Sequence, residues 1–155
     1  MIALTKKTEY AIIAACHLAR CRERVVAARE IAERYSIRVA LLMNVLKQMH
    51  RGGVLESVRG ARGGYRLARD ADELTLADLI ESVEGPPRLV RCAPPVAGGD
   101  SACDLIASCP VRLPLVKAHE HLCNYLRGVT VADLTNDAGF DAQDRPETVS
   151  KVTIQ

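Results

Sequence analysis

The alternation of apolar and polar positions predicts six helices and one β-hairpin. Apolar residues recur at helical spacing in five segments, which cover residues 5–22, 27–35, 37–51, 75–83 and 110–128. A sixth, short helix is predicted after Thr130, which can cap it. Thr5, Ser36 and Thr75 stand where side chains commonly cap a helix N-terminus. The pattern predicts a mostly α fold with a small β-hairpin.

The second and third helices predict a helix-turn-helix, because only a tight turn separates them. Leu42, Val45, Leu46 and Met49 form an apolar stripe along one face of the third helix. The opposite face is basic. We expect base edges to be contacted from the start of this helix, by Arg38, Val39, Ala40 and Asn44.

Two short apolar segments, 54–59 and 64–68, follow the Gly52-Gly53 end of this helix and predict a hairpin. Its connection, GARGG, carries Arg62 at the tip, with Arg59 at the base. Any hairpin with a solvated arginine would look similar. Its place directly after a basic recognition helix favours a wing that contacts the DNA backbone or the minor groove.

Charge is divided unevenly along the chain. Residues 1–70 hold 14 Lys and Arg against 6 Asp and Glu, whereas residues 71–155 hold 7 against 13. A basic half joined to an acidic half is typical of a chain in which one module binds a polyanion and the other has a different function. We expect contacts to phosphates or the minor groove from Lys6, Lys7, Lys47, Arg59 and Arg62. Four Tyr, one Phe and no Trp argue against a stacking platform for single-stranded nucleic acid.

The chain of 155 residues suits one domain with an appendage. We expect a winged helix-turn-helix domain over 1–70, a cysteine loop and long helix over 71–135, and a disordered tail over 136–155. Apolar positions recur over about five turns of the helix at 110–128. Little remains in its own subunit for this helix to pack on, so it predicts a twofold homodimer. No segment reaches the ~18 apolar residues of a membrane span and no cleavable leader is recognisable, so we expect a cytoplasmic protein without membrane contact.

Six cysteines in such a chain indicate metal or redox chemistry rather than disulfides. Cys92, Cys103 and Cys109 share one loop rich in Pro, Gly and Ala, with C-x10-C-x5-C spacing. Structural zinc sites usually use closer pairs, so this spacing favours an iron–sulfur cluster, with zinc and a thiol switch left open. A cluster needs a fourth ligand, and the candidates are Glu9, Cys16, Cys21, His119, His121 and Cys123.

Nothing in the sequence favours an enzyme. A catalytic cysteine needs a base and an orienting group, and no local signature supplies them. No phosphate-cradling glycine loop and no paired-carboxylate motif is present either.

Four motifs together carry a family resemblance. They are LTKKTEYAI at the N-terminus, the wing sequence RGARGGYRLAR, the segment LTLADLIESVEGP, and the three loop cysteines. In combination they resemble the Rrf2 family of bacterial winged helix-turn-helix regulators, of the IscR, NsrR and RirA type. CDLIASCPVR is most similar to the branch that regulates the SUF iron–sulfur assembly system.

The resemblance implies a homodimer on a palindromic double-stranded DNA operator, with one iron–sulfur cluster, 2Fe–2S or 4Fe–4S, in each subunit. Cys92, Cys103 and Cys109 match the family's cysteine ligands. Glu9 matches the position from which related members supply an acidic ligand of the partner subunit. Arg112 stands where IscR has its histidine ligand, which favours Glu9. The first gap of the loop is longer than is common in the family.

The resulting hypothesis is a cluster-dependent transcriptional repressor that senses iron–sulfur or iron status. Nitric oxide or an oxidant is the alternative signal. A thiol switch or a structural zinc site on a DNA-binding protein is the alternative from a different class.

Overall fold

The computed structural model describes residues 3–93, 105 and 107–137. It contains helices α1 (Lys6–Arg20), α2 (Ala28–Arg34) and α3 (Val39–Arg51), strands β1 (Leu55–Val58) and β2 (Gly64–Leu67), and helices α4 (Leu76–Glu84), α5 (Arg112–Gly128) and α6 (Val131–Asp137). This order confirms the predicted helical fold with one hairpin. Cys103 and the tail beyond residue 137 lie outside the described residues, whereas Asn136 and Asp137, assigned above to the tail, belong to α6.

One core joins the helix-turn-helix to the later helices. Leu42, Leu46 and Met49 on the inner face of α3 are fully buried, as their spacing predicts. Leu79 of α4 and Val131 of α6 are buried in the same cluster. Both α4 and α6 contact α1, where alanines at three fully buried positions allow close approach. Helices α4 and α6 therefore share the core of the domain predicted for residues 1–70.

Threonines cap three of the helices as expected, and at α6 the Thr130 hydroxyl accepts from the Asp133 N–H while the Thr130 N–H donates to the Asp133 carboxylate. The Thr5 hydroxyl accepts from the Thr8 N–H, and Thr75 forms a reciprocal capping box with Asp78. The prediction for Ser36 is wrong. Its N–H bonds to the Glu33 carbonyl and its φ is 54°, so Ser36 extends the end of α2 in a left-handed conformation. Helix α3 instead begins after Arg38, without a side-chain cap.

The hairpin is antiparallel, with Leu55 opposite Leu67 and Val58 opposite Gly64. Its base is fixed to the segment before α2. The Val26 N–H donates to the Tyr65 carbonyl at 3.0 Å, and the Tyr65 N–H donates to the Val26 carbonyl at 2.9 Å. A Cβ on Gly64 would lie 2.2 Å from the Val26 carbonyl oxygen, so this close approach requires glycine.

The long helix α5 has two different halves. Its C-terminal half packs on α4, where Leu126 is buried against Ala77 and Ile80. The expectation that little in its own subunit would contact this helix is therefore wrong for this half, because α4 presents a second apolar face. The N-terminal half remains exposed. None of the described helices is long and apolar enough to span a membrane.

Candidate DNA interface and cysteine loop

The recognition helix presents a mixed polar and apolar outer surface. Arg38, Ala40, Asn44 and Lys47 are exposed, and Val39 is 41 % exposed. Leu41, which the sequence interpretation did not single out, is also 42 % exposed. An exposed leucine beside valine at the start of a basic helix is suited to thymine methyl groups in the major groove.

The N-terminus of α3 adds backbone donors to this surface. The first N–H groups of a helix have no partner within the helix. Here Arg38, the N-cap, contributes no side-chain hydrogen bond to them. Uncapped N–H groups at the positive end of the helix dipole favour an anion such as a DNA phosphate. These N–H groups lie at the same end of α3 as the exposed Arg38, Val39 and Ala40.

The wing carries exposed positive charge on a tight turn. Gly60 has a φ of 121°, and the Gly63 N–H donates to the Gly60 carbonyl at 2.9 Å. Arg59 and Arg62 are exposed on this turn, and neither makes an ion pair with any residue that the structure describes. On the strands below, Arg66 is already neutralised by Glu56, with a hydrogen bond of 2.8 Å. The free guanidinium groups are therefore at the end that a wing presents to DNA.

The N-terminal lysines differ from each other. Lys7 is exposed and makes no ion pair within the described ranges. Lys6 donates to the Glu9 carboxylate at 2.6 Å, which raises the pKa of the Lys6 ammonium. Exposed pairs of this kind contribute little to stability, so Lys6 can exchange Glu9 for a phosphate at small cost.

Three of the four proposed cluster ligands, Cys92, Cys109 and Glu9, lie among the described residues. Cys92 is buried and Cys109 is half-buried, and both are free thiols in the segment between α4 and α5. Glu9 is 40 % exposed on α1. Among the described residues of a single chain, Glu9 does not join Cys92 and Cys109 in a cluster of ligand atoms.

Two of the remaining candidates for the fourth ligand, His119 and Cys123, contact each other. His119 is buried, and its Nδ1 accepts from the Leu89 N–H at 3.4 Å while Nε2 lies 3.6 Å from the Cys123 Sγ. This pair anchors the start of the loop to α5. Burial raises the pKa of the Cys16 thiol, which makes its thiolate less available. His121 is exposed.

Apolar side chains remain uncovered on the first half of α5. Leu113 is 70 % exposed, and Val111 and Leu115 are 51 % and 38 % exposed. Tyr125 is 68 % exposed further along the helix. Helical periodicity predicted the stripe, but Leu113 and Tyr125 lie off it and were missed. Large apolar side chains exposed together on a helix are typical of an interface.

A family model described as "Iron-dependent Transcriptional regulator", Rrf2, matches residues 4–137. This chain belongs to the Rrf2 family. Its members are DNA-binding transcription regulators and not enzymes. Protein aau3 of Rhizobium meliloti (strain 1021) is 32 % identical over 152 residues, covering 94 % of this chain and 97 % of that protein.

Two solved Rrf2-type structures share the fold. IscR of T. potens has a TM-score of 0.68 at 26 % identity, covering 94 % of each chain. CymR, the global cysteine regulator of B. subtilis, also has a TM-score of 0.68, at 23 % identity, covering 88 % of this chain and 98 % of CymR. The family resemblance and the winged fold are thereby confirmed.

Proposed function

We propose that this Rrf2 regulator is a homodimeric repressor whose affinity for a palindromic operator depends on an iron–sulfur cluster held by Cys92, Cys103 and Cys109. The observation that carries the proposal is the position of the two described loop thiols. They lie in the segment that joins α4 to the exposed first half of α5. Soft thiolates at one loop suit an iron–sulfur cluster, so the donor chemistry fits this cofactor.

Glu9 of a second copy is the proposed fourth ligand. Its carboxylate is accessible, and among the described residues the exposed Lys6 ammonium is its one ion-pair partner. When bound, the cluster would connect the cysteine loop to Glu9 of the second copy. This connection would form when iron and sulfide are available. It would be lost when they are scarce, or on exposure to nitric oxide or an oxidant. Release of Lys6 from Glu9 would at the same time free a positive charge beside Lys7 for the DNA backbone.

Helix α4 is the element through which the loop would reach the DNA-binding surface. At its C-terminal end, Glu84 accepts a hydrogen bond of 2.6 Å from Thr5, the N-cap of α1. Ser82 lies against the end of α3, where a Cβ on Gly52 would be only 2.7 Å from the Ser82 Cβ. A displacement of the chain after Glu84 would therefore shift α1 and α3, the two helices that carry proposed DNA contacts.

Anaerobic reconstitution with iron and sulfide tests the cofactor. We expect visible absorption with iron and sulfide bound to each subunit, and its loss in Cys92→Ser and Cys109→Ser. Cys16→Ala is the matched control, since Cys16 lies outside the loop, and it should retain the cluster. A colourless protein that binds only zinc, or a metal-free protein that responds to thiol oxidants, would instead support the alternative zinc or thiol-switch function.

The exposed half of α5 supplies the test of the dimer. Leu113→Glu places a charge on a side chain that is 70 % exposed in one subunit, so it should shift the dimer towards monomer in sedimentation without unfolding the chain. Leu41→Glu, at another exposed leucine, should weaken DNA binding and leave the dimer intact. Equal sedimentation of the two variants and the wild type would argue against an interface at this helix.

A further inference from the structure

A second group of metal-ligating side chains lies away from the cysteine loop. His17 and Cys21 are one helical turn apart at the end of α1, and Glu30 lies on α2. Their ligand atoms all lie within 4.8 Å of one another. His17 Nε2 is 3.9 Å from the Cys21 Sγ and 3.5 Å from a Glu30 carboxylate oxygen. We propose that His17, Cys21 and Glu30 form a zinc site that joins α1 to the first helix of the helix-turn-helix.

The distances are close to those of a zinc centre. With Zn–S of ~2.3 Å and Zn–N of ~2.0 Å, tetrahedral angles place the sulfur and nitrogen ligands ~3.5 Å apart. The same geometry places nitrogen and oxygen ligands ~3.4 Å apart. The two separations from His17, 3.9 Å and 3.5 Å, are near these values, and Cys21 and Glu30, within 4.8 Å of each other, would move together around the metal. One thiolate, one imidazole and one carboxylate leave the fourth position for water.

His17 is oriented for ligation. Its Nδ1 lies 3.2 Å from the Tyr35 hydroxyl, which can accept a hydrogen bond from the Nδ1–H. The Nε2 lone pair then faces Cys21 and Glu30. Metal-binding histidines are commonly held in this way through their second nitrogen. The ring is buried, and this burial lowers the pKa of His17, which favours the neutral form that binds metal.

Arg24 lies at the mouth of the site. Its guanidinium donates to Glu30 at 2.8 Å and to the Cys21 Sγ at 3.6 Å. One cation thus already bridges the two acidic ligands. Zinc would displace the guanidinium towards solvent, where the Arg24 side chain is already 54 % exposed, and Cys21 would release its proton. Arg24 therefore sets the affinity by competing with the metal.

The test is a zinc titration against a chromogenic chelator, with the full chain carrying Cys→Ser at 92, 103 and 109 to remove the loop thiols. We expect one equivalent of zinc. Cys21→Ser and Glu30→Gln should each weaken its binding at least tenfold, and zinc should raise the melting temperature of the parent more than that of either variant. Arg24→Ala should tighten binding by about tenfold, since charge-assisted hydrogen bonds no longer compete.

Two matched controls separate the site from general effects. Cys16→Ala removes another cysteine of α1, and Glu33→Gln neutralises another carboxylate of α2; both should leave the zinc equivalent unchanged. The inference is overturned if the chain without the loop thiols binds no zinc, or if Glu30→Gln, at a half-buried position, binds it as tightly as the parent. Since the inference does not rest on the proposed function, variants of His17, Cys21 and Glu30 should still assemble the loop cluster.

Discussion

Replacing Arg62 with alanine removes the charge at the tip of the wing, and its effect on DNA binding can be worked out from the structure. Arg62 is exposed and makes no ion pair among the described residues, so its loss breaks no contact within that part of the chain. In the proposed dimer each copy of Arg62 contacts one phosphate, so the substitution would remove two phosphate contacts. At ~0.9 per phosphate, the slope of log K against log salt should become shallower by ~1.8. At ~0.15 M salt this corresponds to about 30-fold weaker binding.

The assay is fluorescence anisotropy across a salt series, on a duplex carrying the sequence enriched by in vitro selection. Arg66→Ala is the matched control because it removes the same charge from the same hairpin. Glu56 already neutralises Arg66, so its removal should leave the slope nearly unchanged. The reasoning is refuted if Arg62→Ala leaves the salt slope at the wild-type value, or if Arg66→Ala changes it equally.

Three further substitutions test the scaffold and the coupling. Gly64→Ala should lower stability by about 2 kcal/mol in thermal denaturation, since its Cβ would lie 2.2 Å from the Val26 carbonyl oxygen; an unchanged melting temperature would contradict this close approach. Thr75→Ala removes the capping box with Asp78 and should cost about 1 kcal/mol in urea unfolding, whereas no loss would mean that α4 needs no cap. Glu84→Ala should retain the cluster but reduce the difference in DNA affinity between loaded and cluster-free protein, and an undiminished difference would exclude this contact from the coupling.

The elements that periodicity and capping determine locally could be predicted. The inner face of α3 follows from Leu42, Val45, Leu46 and Met49, all of which are buried. Thr75 and Asp78 likewise mark the start of α4. Ser36 shows the limit of such signals. A serine between two helices can either cap the second helix or end the first. Here the left-handed backbone of Ser36 places it at the end of α2.

Contacts between distant elements could not be read from the sequence. The His17–Glu30 contact depends on how the turn after α1 folds back, and no spacing rule encodes that path. The division of α5 into a packed and an exposed half depends on the second apolar face of α4. Leu113 and Tyr125 were missed for the same reason. From the sequence, the chemistry of the cysteine loop could be limited to an iron–sulfur cluster, zinc or a thiol switch. The preference for a cluster rests on the spacing of the cysteines and on the family resemblance.

The most direct test of the proposed function is the iron and acid-labile sulfide content of protein purified anaerobically, measured together with its visible spectrum. We expect iron and sulfide in equal amounts with visible absorption in the wild type, and the loss of all three when serine replaces Cys92, Cys103 and Cys109. Wild-type protein that is colourless and free of sulfide after anaerobic purification and reconstitution would contradict the iron–sulfur account.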